Sequence, residues 1–174
     1  MSQDQTPPLT VASHDEVKEI HFDGEMEDRI KNILGRYSET QAALLPVLWA
    51  CQERWGWISA GIMEAIAERL ALSPAFVESV VTFYTMFRSR PPGRFHLQVC
   101  TTLSCRLCGA GPVIDELKRT LGIDFGETTP DGRFTLSDVK CLGVCGEGPV
   151  IQINDDYYTR LNTEELGRLL DEFK

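Results

Sequence analysis

The 174-residue sequence has no apolar run long enough to cross a bilayer. Its longest nearly apolar stretch, Ala42 to Cys51, spans ten residues, against the ~20 that a membrane helix needs. The polar, acidic N-terminus carries no apolar h-region and no Arg-rich amphipathic start, so neither a secretory signal nor a transit peptide is expected. Basic residues are in deficit. Seventeen Lys and Arg stand against 26 Asp and Glu, a net charge of −9, which argues against nucleic acid or an anionic membrane as the main partner. There is no G-x-G-x-x-G and no G-x-x-x-x-G-K-[ST], so a nucleotide site of either type is excluded; Gly109-Ala-Gly111 reads as a helix start. No Ser, His and carboxylate set stands out for hydrolysis.

What is present is an ordinary globular mixture, 43% apolar and 25% charged. A chain of this size buries about 70% of the surface its unfolded form exposes, so it needs no covalent staple. A soluble, intracellular protein is the expectation, and there six cysteines read as metal ligands or catalytic thiols rather than disulfides.

Residues 1–24 include Pro7 and Pro8, mostly polar side chains and no sustained period, and are expected to form a flexible tail. From Glu25 to Phe87 the period is helical, giving a helical bundle domain expected over residues 25–91. Met26, Ile30, Ile33, Leu34 and Tyr37 form one stripe. A second helix, capped by Ser38 or Thr40, carries Leu44, Leu45, Val47, Leu48 and Cys51, with Pro46 kinking it or delaying its start. Ser59 caps a third helix with Ile62, Ile66 and Leu70. Ser73-Pro74 opens a fourth with Val77, Val80, Val81 and Tyr84. The last two helices have the look of a helix-turn-helix, but no basic stripe accompanies them to hold a phosphate backbone. A structural or docking role is the better reading.

Arg88-Ser-Arg-Pro-Pro-Gly-Arg94 marks a boundary. Beyond it, over residues 92–174, strand and helix alternate. Phe95, Leu97 and Val99 define a strand ending at Cys100. Val113 to Leu121 is a helix closed by Gly122. Phe134 to Val139 is a second strand, and Val150–Ile153 and Tyr157–Leu161 pair as a hairpin. Asn162 and Glu165 form a capping box on the last helix, with Leu161 and Leu166 as a staple and Leu166, Leu169, Leu170 and Phe173 on one face. The fold class is therefore α/β, a small open sheet flanked by helices, preceded by a small all-α domain.

Four cysteines fall in two tight pairs, Cys100/Cys105 as C-x₄-C and Cys141/Cys145 as C-x₃-C, each beginning where a strand ends. Two pairs suit two irons sharing bridges, one per pair, as in a [2Fe–2S] cluster. Four soft thiolates admit iron–sulfur or zinc, and the loops are wider than the C-x₂-C turns structural zinc prefers. Gly143, Gly146 and Gly148 can bring backbone close to the second pair. A second arrangement stays open: Cys100, Cys105 and Cys108 match the plant-type C-x₄-C-x₂-C, with Cys141 as fourth ligand. It leaves the C-x₃-C unexplained, so Cys108 is read as a spare thiol. Cys51 is read as core. A Rieske-type site needs two histidines; of His14, His21 and His96 only the last is near, within a strand and expected at the surface. Four thiolates and two sulfides outweigh two ferric ions, so a low potential is expected, nearer the plant-type ~−400 mV than Rieske values. Arg106 and Lys140 adjoin the loops and can partly offset that charge. A thiol–disulfide enzyme would use Cys105-Arg-Leu-Cys108 but leaves the other three cysteines without a role.

Val99-Cys-Thr-Thr-Leu-Ser-Cys-Arg-Leu-Cys-Gly109, Val139-Lys-Cys-Leu-Gly-Val-Cys145 and Pro149-Val-Ile-Gln-Ile-Asn-Asp-Asp-Tyr-Tyr158 resemble the thioredoxin-like [2Fe–2S] subunit of NADH:quinone oxidoreductase, the small flavoprotein-fraction subunit of respiratory complex I. Leu45-Pro-Val-Leu-Trp49, Glu53-Arg-Trp-Gly-Trp-Ile58 and Val81-Thr-Phe-Tyr84 extend the resemblance through the helical half. It implies a thioredoxin-like domain holding the cluster through Cys100, Cys105, Cys141 and Cys145. It also implies a larger partner that binds NADH, FMN and a [4Fe–4S] cluster, electron exchange with that flavin, further peripheral-arm subunits, and a cytoplasmic place peripheral to the inner membrane. Many relatives have proline where this chain has Ser104. Similar subunits serve NAD-linked hydrogenases and formate dehydrogenases.

Overall fold

A computed structural model describes residues 20–173. The tail expected over residues 1–24 lies mostly outside the described residues. At its end the expectation is corrected: Asp23 caps the first helix by accepting from the Met26 N–H, and the Phe22 ring lies 6.3 Å from that of Trp55. The described chain forms two compact units, residues 20–91 and 92–173.

The first unit holds helices α1 (Gly24–Leu34), α2 (Leu44–Trp55), α3 (Ala60–Leu70) and α4 (Pro74–Phe83). Ile30, Leu48, Ile58, Ile62, Ile66 and Leu70 are fully buried between them, each worth about 1.5–3 kcal/mol relative to exposure. Cys51 lies in the same core, its thiol pushed up to about 12 by burial. The Arg69 guanidinium donates to both oxygens of Glu27, tying α3 to α1. Buried Gln52 donates to the Met86 carbonyl and accepts from the Arg88 N–H, fixing the chain that leaves α4.

Two local expectations fail here. Tyr37 is 42% exposed because α1 stops at Leu34, before the stripe reaches it. Neither Ser38 nor Thr40 caps α2. A 3₁₀ turn over Thr40–Ala43 leads straight into it, and Pro46 sits in its first turn, where a missing N–H leaves no bond unmade.

The second unit is a four-stranded sheet in the order β2-β1-β3-β4: β1 (Phe95–Cys100), β2 (Phe134–Val139), β3 (Val150–Ile153) and β4 (Asp156–Thr159). β1 and β2 are parallel, with Phe95 opposite Phe134 and Cys100 opposite Val139. β1–β3 and β3–β4 are antiparallel. The crossover from β1 to β2 carries α5 (Leu103–Leu107) and α6 (Ala110–Leu121), and α7 (Thr163–Glu172) closes the unit. Leu97, Leu117, Leu136, Ile151 and Ile153 are fully buried in its core. The α7 capping box is formed by Asn162 and Glu165 as expected.

The hairpin turns on Asn154, in the left-handed region at φ 53°. Its buried side chain accepts from the His96 N–H at 2.8 Å. His96 itself is buried, not at the surface, with Nε2 2.9 Å from Ser137 Oγ. Its partners come from the segments flanking β1: Ser137 lies on β2, and Asn154 follows β3. Leu97→Ala, in β1, should lower stability by about 2–5 kcal/mol, whereas Tyr157→Ala at an exposed site should change it by no more than ~0.5 kcal/mol. Urea unfolding followed by circular dichroism measures both.

Candidate metal centre

Parallel pairing places the ends of β1 and β2 on one edge of the sheet, and the Thr101 N–H extends it by donating to the Val139 carbonyl at 2.9 Å. β3 runs the other way, so its first residue, Val150, lies at that same edge. Three chain segments therefore meet there: the turn after Cys100, the loop from Lys140 to Pro149, and the start of β3.

Cys100 is the last residue of β1 and is buried. Cys105 is not on an open loop, as expected from sequence, but inside the short helix α5, and is 1% exposed. Cys108 caps the C-terminus of α5 and is exposed; Gly109, at φ 97°, then starts α6. In the second loop Leu142 and Val144 pack partly buried against the core of the unit. Those apolar anchors alternate with Cys141 and Cys145, whose thiols stay exposed.

Sγ of Cys141 and Cys145 are 3.8 Å apart. Two thiolates on a tetrahedral ion at metal–sulfur distances of ~2.3 Å stand about 3.8 Å apart, so this pair is spaced for one ion. Cys100 and Cys105 are close enough for each thiol to act on the proton affinity of the other. Among the described residues no three His, Cys, Asp or Glu side chains surround one point; the thiols come together in twos. Donors aim at the sulfurs. The Gly143 N–H donates to Cys141 Sγ at 3.3 Å, and the backbone N–H groups of Leu142 and Val150 favour the anionic forms of Cys100 and Cys105. Thr102 Oγ1 lies 3.1 Å from Cys100 Sγ. Such a lining serves anionic sulfur and suits an iron–sulfur group.

The thiol affinities divide each pair. Burial alone would raise Cys100, but bonds from the Thr102 hydroxyl and N–H, the Cys105 thiol and the Leu142 N–H outweigh it and hold Cys100 below its ordinary range. Cys105 is pushed up to about 11 by burial and then by sharing its proton with Cys100. Cys145 is raised by its hydrogen bond to Cys141, by the charge of Cys141 and, further off, by that of Cys100. One thiol of each pair, Cys105 and Cys145, is thus raised, and an arriving cation must displace its proton. The thiol–disulfide reading fails on the same facts, because a buried thiol held near 11 is a poor nucleophile.

Gly148 differs from the expectation for it. An added Cβ there would lie 3.3 Å from Cys105 Sγ and 3.2 Å from Cys108 Cβ, so it makes room for the first pair, not the second. Gly146 faces open space. Lys140 is committed to Asp138 at 2.7 Å, which cancels much of the offset expected from it. The helix α5, the backbone donors and Thr102 were all missed from sequence; Thr102 just before an apolar turn was the one available signal, as a cap.

Residues 30–174 match the family described as thioredoxin-like [2Fe-2S] ferredoxin. The chain belongs to that family, and its cofactor is a [2Fe–2S] cluster. It is 39% identical over 165 residues to NADH-quinone oxidoreductase subunit 2 of Thermus thermophilus, covering 88% of this chain and 91% of that one. It is 40% identical over 169 residues to the mitochondrial NADH dehydrogenase [ubiquinone] flavoprotein 2 of Dictyostelium discoideum, covering 94% and 68%. A solved NAD+-reducing [NiFe]-hydrogenase in the air-oxidized state is similar in fold, with a TM-score of 0.66 at 21% identity, over 79% of this chain but only 24% of that one. Overpacking at Gly148 should be felt directly: Gly148→Ala should destabilise the protein by about 1–3 kcal/mol and reduce bound iron, while Gly146→Ala leaves both unchanged, as unfolding and iron assays will record.

Proposed function

We propose that this chain is the electron-carrying subunit of an NADH:quinone oxidoreductase, with Cys100 and Cys105 on one iron of its [2Fe–2S] cluster and Cys141 and Cys145 on the other. The observation that carries this is that two thiol pairs, one at the end of β1 and in α5 and the other on the loop after β2, lie beside backbone N–H groups at one sheet edge. The cluster supplies a site for a single electron, exchanged with the FMN of a partner flavoprotein during NADH oxidation. The chain's own residues do the rest. β1 and α5 keep water from Cys100 and Cys105, which are 2% and 1% exposed, while Cys141 and Cys145 leave the other side open at the surface. Backbone dipoles hold the anionic sulfurs without adding a titrating group.

A larger NADH- and FMN-binding subunit with a [4Fe–4S] cluster is the partner that completes the activity. Leu103 and Leu107, 74% and 80% exposed on α5 beside Cys105, support a protein surface covering this edge. Among the described residues no helix is long and apolar enough to cross a membrane, in keeping with a peripheral place in a membrane-bound complex. The quinone-linked host is favoured over an NAD-linked hydrogenase or formate dehydrogenase by relatives near 40% identity whose names carry quinone or ubiquinone; the hydrogenase likeness concerns fold alone.

Anaerobic purification with iron and acid-labile sulfide assays tests the reading. Equal iron and sulfide with one reduced-state EPR signal is expected; zinc, or no metal, would overturn it. Cys145→Ser should abolish the cluster and Cys108→Ser should leave it intact, with the reverse pattern supporting the plant-type arrangement. The pure chain should show no NADH oxidation with an added acceptor, and pull-down should recover the flavoprotein.

A further inference from the structure

Thr102 stands at the N-cap of α5, where a threonine ordinarily turns its oxygen back to accept from an amide in the first helical turn. It makes no such bond. Its Oγ1 instead lies 3.1 Å from Cys100 Sγ, and the same hydroxyl bears on Cys105. A ligating sulfur has no proton left, so in the loaded protein the hydroxyl is the donor. Lys140, in the neighbouring loop, does not compete for this role, since it is bound to Asp138 at 2.7 Å and is 81% exposed. The other groups that favour anionic sulfur in this pair, at Thr102, Leu142 and Val150, are backbone N–H groups.

We propose that Thr102 is a positioning residue that raises the reduction potential of the cluster by donating its hydroxyl to Cys100 Sγ. The inference rests on Cys100 being a ligand. An added electron increases the negative charge on the sulfurs, and a hydrogen bond to a charged acceptor strengthens with that charge. The donor therefore stabilises the reduced state more than the oxidised one, and hydrogen bonds to sulfur are among the determinants of cluster potential. Because the side chain caps nothing, Thr102→Val removes the hydroxyl while keeping the shape and without uncapping a helix. Thr102→Ser keeps the hydroxyl and loses the methyl group.

The experiment is a mediated dithionite titration of the full chain, followed by the reduced-state EPR signal, with iron and sulfide measured for every sample. In Thr102→Val the ratio of reduced to oxidised protein at a fixed potential should fall about tenfold, equivalent to ~59 mV for one electron. Thr102→Ser should titrate with the parent. A purely structural role predicts the opposite order, with valine unchanged and serine shifted, and that order overturns the proposal, as does an unmoved potential in both. If Thr102→Val binds no cluster, a loaded Thr102→Ser with the parent potential supports the hydroxyl, and a serine variant that also fails to load overturns it. Failure of the underlying ligand reading is separate: Cys100→Ser would then keep full iron and sulfide.

Discussion

The parallel pairing of β1 with β2 is the constraint on which the site depends. Cysteines forty residues apart in sequence become neighbours because Cys100 stands opposite Val139 and both strands end at one edge. A slip of one residue in that register would turn every buried side chain of β2 to the other face. The core side chains Leu97, Leu136 and Ile151 therefore set the cysteine geometry as firmly as the loops do. The crossover that parallel strands require is also what supplies α5, and α5 is what buries Cys105.

The two thiol pairs are chemically unequal. One lies under β1 and α5 with several donors aimed at it, and the other rides on a loop anchored by Leu142 and Val144. That asymmetry separates an insulated side from an accessible side, which an electron carrier placed against a partner needs. It also explains why an acidic chain can keep four sulfurs together. The raised Cys105 and Cys145 thiols limit the charge before metal arrives, and backbone N–H groups stabilise anionic sulfur afterwards.

Much was legible in local pattern. The caps at Ser59, Ser73 and Asn162 act over three residues, and the stripes of α2, α3 and α7 act over one or two turns, so sequence spacing alone reveals them. Misreadings arose where distant elements intervene. Tyr37 fell outside its stripe when α1 ended, His96 was buried against groups from β2 and the hairpin that flank β1, and Cys105 was drawn into a helix by the crossover.

Residue identities and their spacing pointed to the chemistry: four soft thiols in two pairs, a deficit of basic charge, no G-x-G-x-x-G or P-loop motif, and a family resemblance carried by contiguous residues. The folded arrangement was needed to learn which thiol is buried, which glycine yields space to Cys105, and which hydroxyl meets Cys100. Those depend on approaches of a few ångströms between segments far apart in the chain. Side-chain type encodes what a group can bind, whereas strand register and burial set what it meets.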